Sequence, residues 1–237
     1  RGDTGRETGR PARETRSEVL QRTARYLAAE PHSFAALAGA DGYDRAVFLR
    51  KAALRPVPRW AVVDDLAIDA LEETLGEAEE DLQRTLDGGY REMDRLQPEL
   101  AEYLAGQVSS RNDELAQSVG YFLAVTVYLA FREAFPTRLT TVDESSLQLA
   151  LSTLDVDEEL RRNDPTEVLE SDDVVAMGQP ALVSYVQHHF DEALSQSEGG
   201  ADLDAFDTVY RAILVEVIAL SHAVRAPSGT AQDPALA

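Results

Sequence analysis

Paired carboxylates stand at Asp64 and Asp65, with Asp69 one turn further on, and again at Asp172 and Asp173. Such pairs can hold Mg²⁺ and, through it, a diphosphate. At the start of a helix the same residues also satisfy free backbone N–H groups. His188 and Glu192 lie four residues apart, so a helix brings imidazole and carboxylate to one face, where they are two weak candidate metal ligands. No third ligand accompanies them, and neither a metal nor another cofactor is expected. Arg45, Arg50 and Lys51 form a short cationic group able to meet phosphates. Nucleophilic chemistry has little to draw on. The chain has no cysteine, no G-x-S-x-G elbow and no glycine-rich phosphate loop, so the balance tips away from an enzyme.

The cations sit in a recognisable setting. With Phe34 as first position, Leu37 and Ala38 supply an apolar and a small residue, Gly42 a turn, Tyr43 the next apolar slot, Asp44 a cap and Phe48 an inward position. This stretch, residues 33–54, resembles the helix-turn-helix of DNA-binding proteins. The resemblance places Arg45, Arg50 and Lys51 on or near the exposed face of a recognition helix. Asp41 and Lys51 depart from it, since the pattern wants apolar residues there. The aspartate pairs, with Arg50, Lys51, Arg55 and Pro56 upstream, resemble those of all-α prenyl-transferring enzymes. Ile68 stands where that family's third carboxylate belongs.

Charge separates the chain into two parts. There are 43 acidic and 22 basic residues, and Lys51 is the single lysine. Residues 1–60 hold 12 basic and 7 acidic side chains, whereas 61–237 hold 10 and 36. The acidic part repels nucleic acid and anionic membranes; only the front could attract them. Arginine in place of lysine fits a high-GC or halophilic source. No basic stretch followed by an apolar run opens the chain, and a cytoplasmic location without membrane association is expected.

Periodicity predicts helices throughout, hence an all-α, multi-helix bundle. From Val119 to Phe131 every residue except Gly120 and Thr126 is apolar or aromatic, which predicts a buried central helix over about 112–135. Asn112 is expected to cap it and Pro136 to stop it. Its apolar run, bounded by Asp113 and Glu114 and by Arg132 and Glu133, is short for a bilayer span. Tyr121 and Tyr128, two turns apart, need polar partners on one side.

Around this helix the sequence predicts others at about 64–87, ended by Gly88 and Gly89, at 90–108 with a kink or restart at Pro98, and at 141–154 from a Thr141/Glu144 capping box. Short helices are expected over 157–177, with Asp164 and Pro165 as a cap and first position. Longer ones follow at 180–195 and 203–224. Trp60–Val63 and Leu139–Val142 are β-prone but too short to pair with assurance, and no repeat of fixed period is visible. The domain layout is a loose arm at 1–13, a small basic helical unit at 14–58, an acidic bundle at 59–225 and a loose tail at 226–237. The leading functional expectation is a non-enzymatic interaction or assembly protein, oligomeric through an apolar face and working with a protein partner or itself. The alternative is a helix-turn-helix transcriptional regulator with an acidic dimerisation or ligand-sensing bundle.

Overall fold

Segments rich in leucine and alanine at helical spacing, punctuated by Asp caps and Gln-Pro pairs, fold into an all-α bundle. The computed structural model describes residues 57–78, 81–110, 112–163, 171–197 and 200–228, with backbone alone for 156–163 and 171–174. The arm, most of the basic unit, nearly all of the tail, and the Asp164/Pro165 cap lie outside the described residues. The described helices are α1 (Asp65–Glu77), α2 (Leu82–Leu96), α3 (Pro98–Ser109), α4 (Glu114–Ala134), α5 (Glu144–Asn163), α6 (Ser171–Gly178), α7 (Pro180–Gln196) and α8 (Leu203–Ala223). A short 3₁₀ turn, Arg59–Ala61, precedes them.

Helix starts follow a common chemistry. Asp64, Asp113, Asp143 and Asp202 each accept the backbone N–H three residues on, at 3.0, 2.8, 2.7 and 3.2 Å. That bond satisfies a donor the helix leaves free and puts negative charge at the positive end of its dipole. The caps of α4 and α5 are thus Asp113 and Asp143 rather than Asn112 and Thr141; a carboxylate one or two positions later reaches the N–H. At Asp143 bonds from Ser146 and Ser145 hold the carboxyl below its usual range.

The seam expected to run unbroken through 64–87 is cut between α1 and α2, and Gly88 and Gly89 lie inside α2 instead of ending a helix. Packing explains the second point. A Cβ on Gly89 would come within 2.8 Å of Val125 Cγ1, so this glycine lets α2 press against α4. Pro98 acts as a restart: α2 ends at Leu96 and α3 opens at the proline. The 141–154 helix runs on to Asn163, and Ser171–Gly178 is the short helix before Pro180.

The interior belongs to two helices. α4 is buried along most of its length, and so is α8 beside it. At their starts the Asp202 N–H donates to Asp113 Oδ2 at 3.0 Å; at their ends Thr140 N–H donates to the Ala223 carbonyl at 3.0 Å and Arg225 N–H to that of Arg138 at 2.9 Å. The two therefore run parallel. Among the described residues α4 is the one helix long and apolar enough to cross a membrane, and 78% of its most apolar window is covered by the bundle. Tyr121 and Tyr128 send their hydroxyls to α2, onto Asp87 Oδ1 (3.1 Å) and Glu92 Oε1 (3.5 Å), and Arg132 pairs with Glu92. Burial, with Glu92 next, pushes Tyr128 up to about 12.

The chain is built twice over. A short strap, two helices, a Gln-Pro junction, a third helix and a 21-residue fourth helix occur in residues 60–134 and again in 139–223. Equivalent residues agree in detail. Gln97-Pro98-x-Leu100-x-x-Tyr103 matches Gln179-Pro180-x-Leu182-x-x-Tyr185, and Val63-Asp64-Asp65 matches Val142-Asp143-Glu144. Both glutamines share a backbone shape, φ −133° and ψ 55° against φ −138° and ψ 61°.

The glutamines are also exchanged. Gln97 of the first half donates to the Thr140 carbonyl (2.9 Å) and accepts from Val142 N–H (2.6 Å) on the second half's strap. Gln179 of the second half donates to the Ala61 carbonyl (2.6 Å) and accepts from Val63 N–H (2.9 Å) on the first half's strap. Such reciprocity is what a two-fold operation produces. Both side chains are buried, at 2% and 0% exposure, so the straps depend on them to satisfy their peptide groups.

Gln179→Ala, which strands Val63 N–H and the Ala61 carbonyl, is expected to cost about 2–4 kcal/mol, and Gln97→Ala a similar amount. Urea unfolding checks this through a lowered midpoint at unchanged slope.

Candidate functional site

The first strap carries the surface most unlike the rest of the bundle. Its alternation turns Ala61 and Val63 into the core and leaves Trp60, Val62 and, one step into α1, Leu66 outside at 41%, 38% and 75% exposure. Among the described residues the other large exposed apolar side chains are Leu96 and Leu203, which lie far from each other and from the strap in the sequence. Trp60 is held in place. Its indole Nε1 donates to the Val224 carbonyl at 3.0 Å, and Arg138 donates to the carbonyls of Trp60 and Arg225, each at 3.2 Å. Arg138 also lies 4.8 Å over the Phe135 ring.

The duplication supplies an internal control. Positions equivalent to Trp60, Val62 and Leu66 are Leu139, Thr141 and Ser145, and Thr141 and Ser145 are exposed like their counterparts. One architecture thus accepts Thr and Ser where the first half shows Val and Leu to solvent. The fold has no need of these apolar side chains. Trp60 and arginine are also the residue types that dominate binding hot spots.

Charge along this surface is ordered. Arg59 and Arg225, both exposed, and Arg138 surround the Trp60 end. Past Leu66 the same face of α1 continues with Asp69 and Glu73, three and seven residues on, both exposed. Basic side chains gather at the Trp60 end, and acidic ones begin within the apolar stretch, where Asp64 and Asp65 are exposed between Val62 and Leu66.

The residues singled out from the sequence have different fates. Asp64 is the α1 cap, its Oδ1 3.0 Å from Ala67 N. The side chains of Asp172 and Asp173 lie outside the described residues, as do Arg45, Arg50 and Lys51. On α7, Glu192 Oε2 stands 3.9 Å from Nδ1 of His189, the neighbour of the expected histidine. His188 lies in the field of Glu72 on α1, whose carboxyl is raised by burial and then by Asp69. Among the described residues no three His, Asp or Glu side chains gather where they could hold a metal ion.

Inside the bundle lie several buried polar groups, among them His189, which the periodicity of 180–195 allows as an inward position. His189 is 7% exposed, its ring edge-on to Tyr185 at 4.4 Å and to Phe122 of α4 at 5.1 Å. Burial, with His188 second, lowers it to about 3, so it is neutral. The Tyr185 hydroxyl is buried beside Thr126, whose own hydroxyl is spent on the Leu123 carbonyl at 3.2 Å; burial drives the phenol upward. The equivalent Tyr103 of α3 instead faces an ion pair, Arg211 with Asp155 at 2.6 Å.

Glu216 is more extreme. It is fully buried, and neither carboxyl oxygen has a hydrogen-bond donor. It lies two turns beyond Val209, which closes on Gly120 so tightly that a Cβ there would sit 2.5 Å from Val209 Cγ1. The spacing sets Glu216 on the α4-facing side of α8, at the seam between the halves, where its counterpart in α4 is Val127. Burial alone raises its pKa well above 4.5, so the group is held protonated.

Comparison with protein families, with characterised proteins and with solved structures finds no match to this chain. Among the described residues the strap is exposed, and the polar groups His189, Tyr185 and Glu216 are buried.

Two opposed pH effects should follow. Unfolded Glu216 ionises near 4.5 while the folded group keeps its proton, so stability falls as pH rises above that value, by up to about 1.4 kcal/mol per unit, until the folded carboxyl also ionises. Unfolded His189 takes up a proton below 6.5 while the folded ring stays neutral to about 3, so stability falls again on acidification through that window. Denaturant titrations from pH 4 to 9 should show Glu216→Gln removing the alkaline loss and leaving the acid one.

Proposed function

We propose that this protein is a non-enzymatic helical interaction and assembly module whose binding surface is the strap from Arg59 to Leu66 with the adjoining face of α1. The observation that carries the reading is the exposure of Trp60, Val62 and Leu66 in a slot that the duplicated half fills with partly buried Leu139 and the polar residues Thr141 and Ser145. Apolar side chains kept outside against no demand of the fold are retained for a contact. Arginines flanking a tryptophan give that contact both area and directional hydrogen bonding.

The test exchanges residues between halves. Val62→Thr with Leu66→Ser writes the second half's residues into the first and should leave folding intact. Wild-type protein is expected to associate, with itself or with another protein, in cross-linking and light scattering; the double variant should lose this. A wild type that associates with nothing overturns the reading.

The regulator remains the second reading, supported by the segregation of charge, +5 in residues 1–60 against −26 in 61–237, and by the helix-turn-helix resemblance at 33–54. It requires duplex DNA binding that weakens steeply with salt and is lost when Arg45, Arg50 and Lys51 become alanine. No binding at about 50 mM salt disposes of it.

A further inference from the structure

We propose that the occupant of the strap surface is a second copy of the chain, docked antiparallel across a two-fold axis. This inference rests on the interaction reading above and names its partner. The argument is one of charge order. Along the surface run Arg59, with Arg138 and Arg225 beside it, then Trp60 and Val62, then the exposed Asp64 and Asp65 with Leu66, then Asp69 and Glu73, so that the charge passes from basic to acidic along the strap.

A uniformly acidic partner is attracted at one end and repelled at the other, and a uniformly basic partner meets the reverse problem. A partner whose charges run in the opposite order satisfies both ends. The same strap turned end for end is such a partner. Its arginine end meets Asp69 and Glu73, its acidic end meets Arg59, and Trp60, Val62 and Leu66 of the two copies bury one another at the centre. The contact is isologous, so every attraction occurs twice.

The strap is suited to this by its fixed geometry. Gln179 holds the Ala61 and Val63 peptide groups, and the Val224 carbonyl holds the Trp60 indole, so the surface is ordered before binding. Little entropy is then lost on docking.

Sedimentation equilibrium of the full chain should show a dimer. Val62→Thr with Leu66→Ser should raise its dissociation constant at least about a hundredfold, because each lost apolar side chain counts in both copies. Arg59→Glu alone and Asp69→Arg alone should each weaken self-association, by placing like charges together twice over. Their mixture is decisive: an antiparallel two-fold contact predicts that the two single variants, each a poor dimer with itself, form a heterodimer as tight as the wild type.

A wild-type monomer at every concentration overturns the inference. If that monomer still captures a different protein through the strap, the interaction reading stands and only the self-partner falls; if it captures nothing, both fall. A dimer unmoved by Val62→Thr with Leu66→Ser, or single variants that do not rescue each other, also overturns it.

Discussion

The exchange of two glutamine side chains between halves is the constraint on which the rest of this molecule depends. Each strap turns peptide groups into the protein that no helix or strand pairs, even though the second also bridges to Val224 through Leu139, and a buried peptide group without a partner is costly. Gln97 and Gln179 each offer one acceptor and two donors at a helix junction, the set a short extended segment needs. Because each half's glutamine serves the other's strap, neither half is complete alone. The straps in turn fix where α1 and α5 begin, since the next residues are the Asp64 and Asp143 caps.

The parallel pair α4 and α8 follows from the same arrangement. Two long helices lie side by side only if small residues and complementary seams allow it, and Gly120 against Val209 provides the closest approach. Across that seam the halves have diverged. Val127 on one side corresponds to Glu216 on the other, and Thr126 to Val215. A protonated carboxyl in a dry seam lowers stability without adding a hydrogen bond. It is the feature of the core least explained by packing.

Much of this was legible in the residues. The ends of α4, α7 and α8 follow from an aspartate or proline at the start and a change of pattern at the close, and their positions agree with expectation to within one or two residues. The break between α1 and α2 was not legible, because leucines continue in phase across it and two adjacent glycines mimic a helix end. Only the approach of Val125 shows why Gly89 is buried mid-helix. The duplication escaped a search for a fixed period because α5 is longer than α1 and α6 shorter than α2. The shared Gln-Pro-x-Leu-x-x-Tyr pattern was visible but silent until its partners were known. Of the two β-prone segments, Trp60–Val63 is half 3₁₀ turn and Leu139 forms a single bridge to Val224; that the two are equivalent, and that one shows its apolar side chains to solvent, is a tertiary fact. For the cationic group at Arg45, Arg50 and Lys51 the residues themselves remain the source of the argument.

The tie between the Trp60 indole and the Val224 carbonyl brings the entry and exit of the bundle together at one pole. Tension applied through the chain on either side of it would load that pole alone. The strap and the end of α8, which meet at that bond, would take the load first. Mechanically the molecule should open from that end.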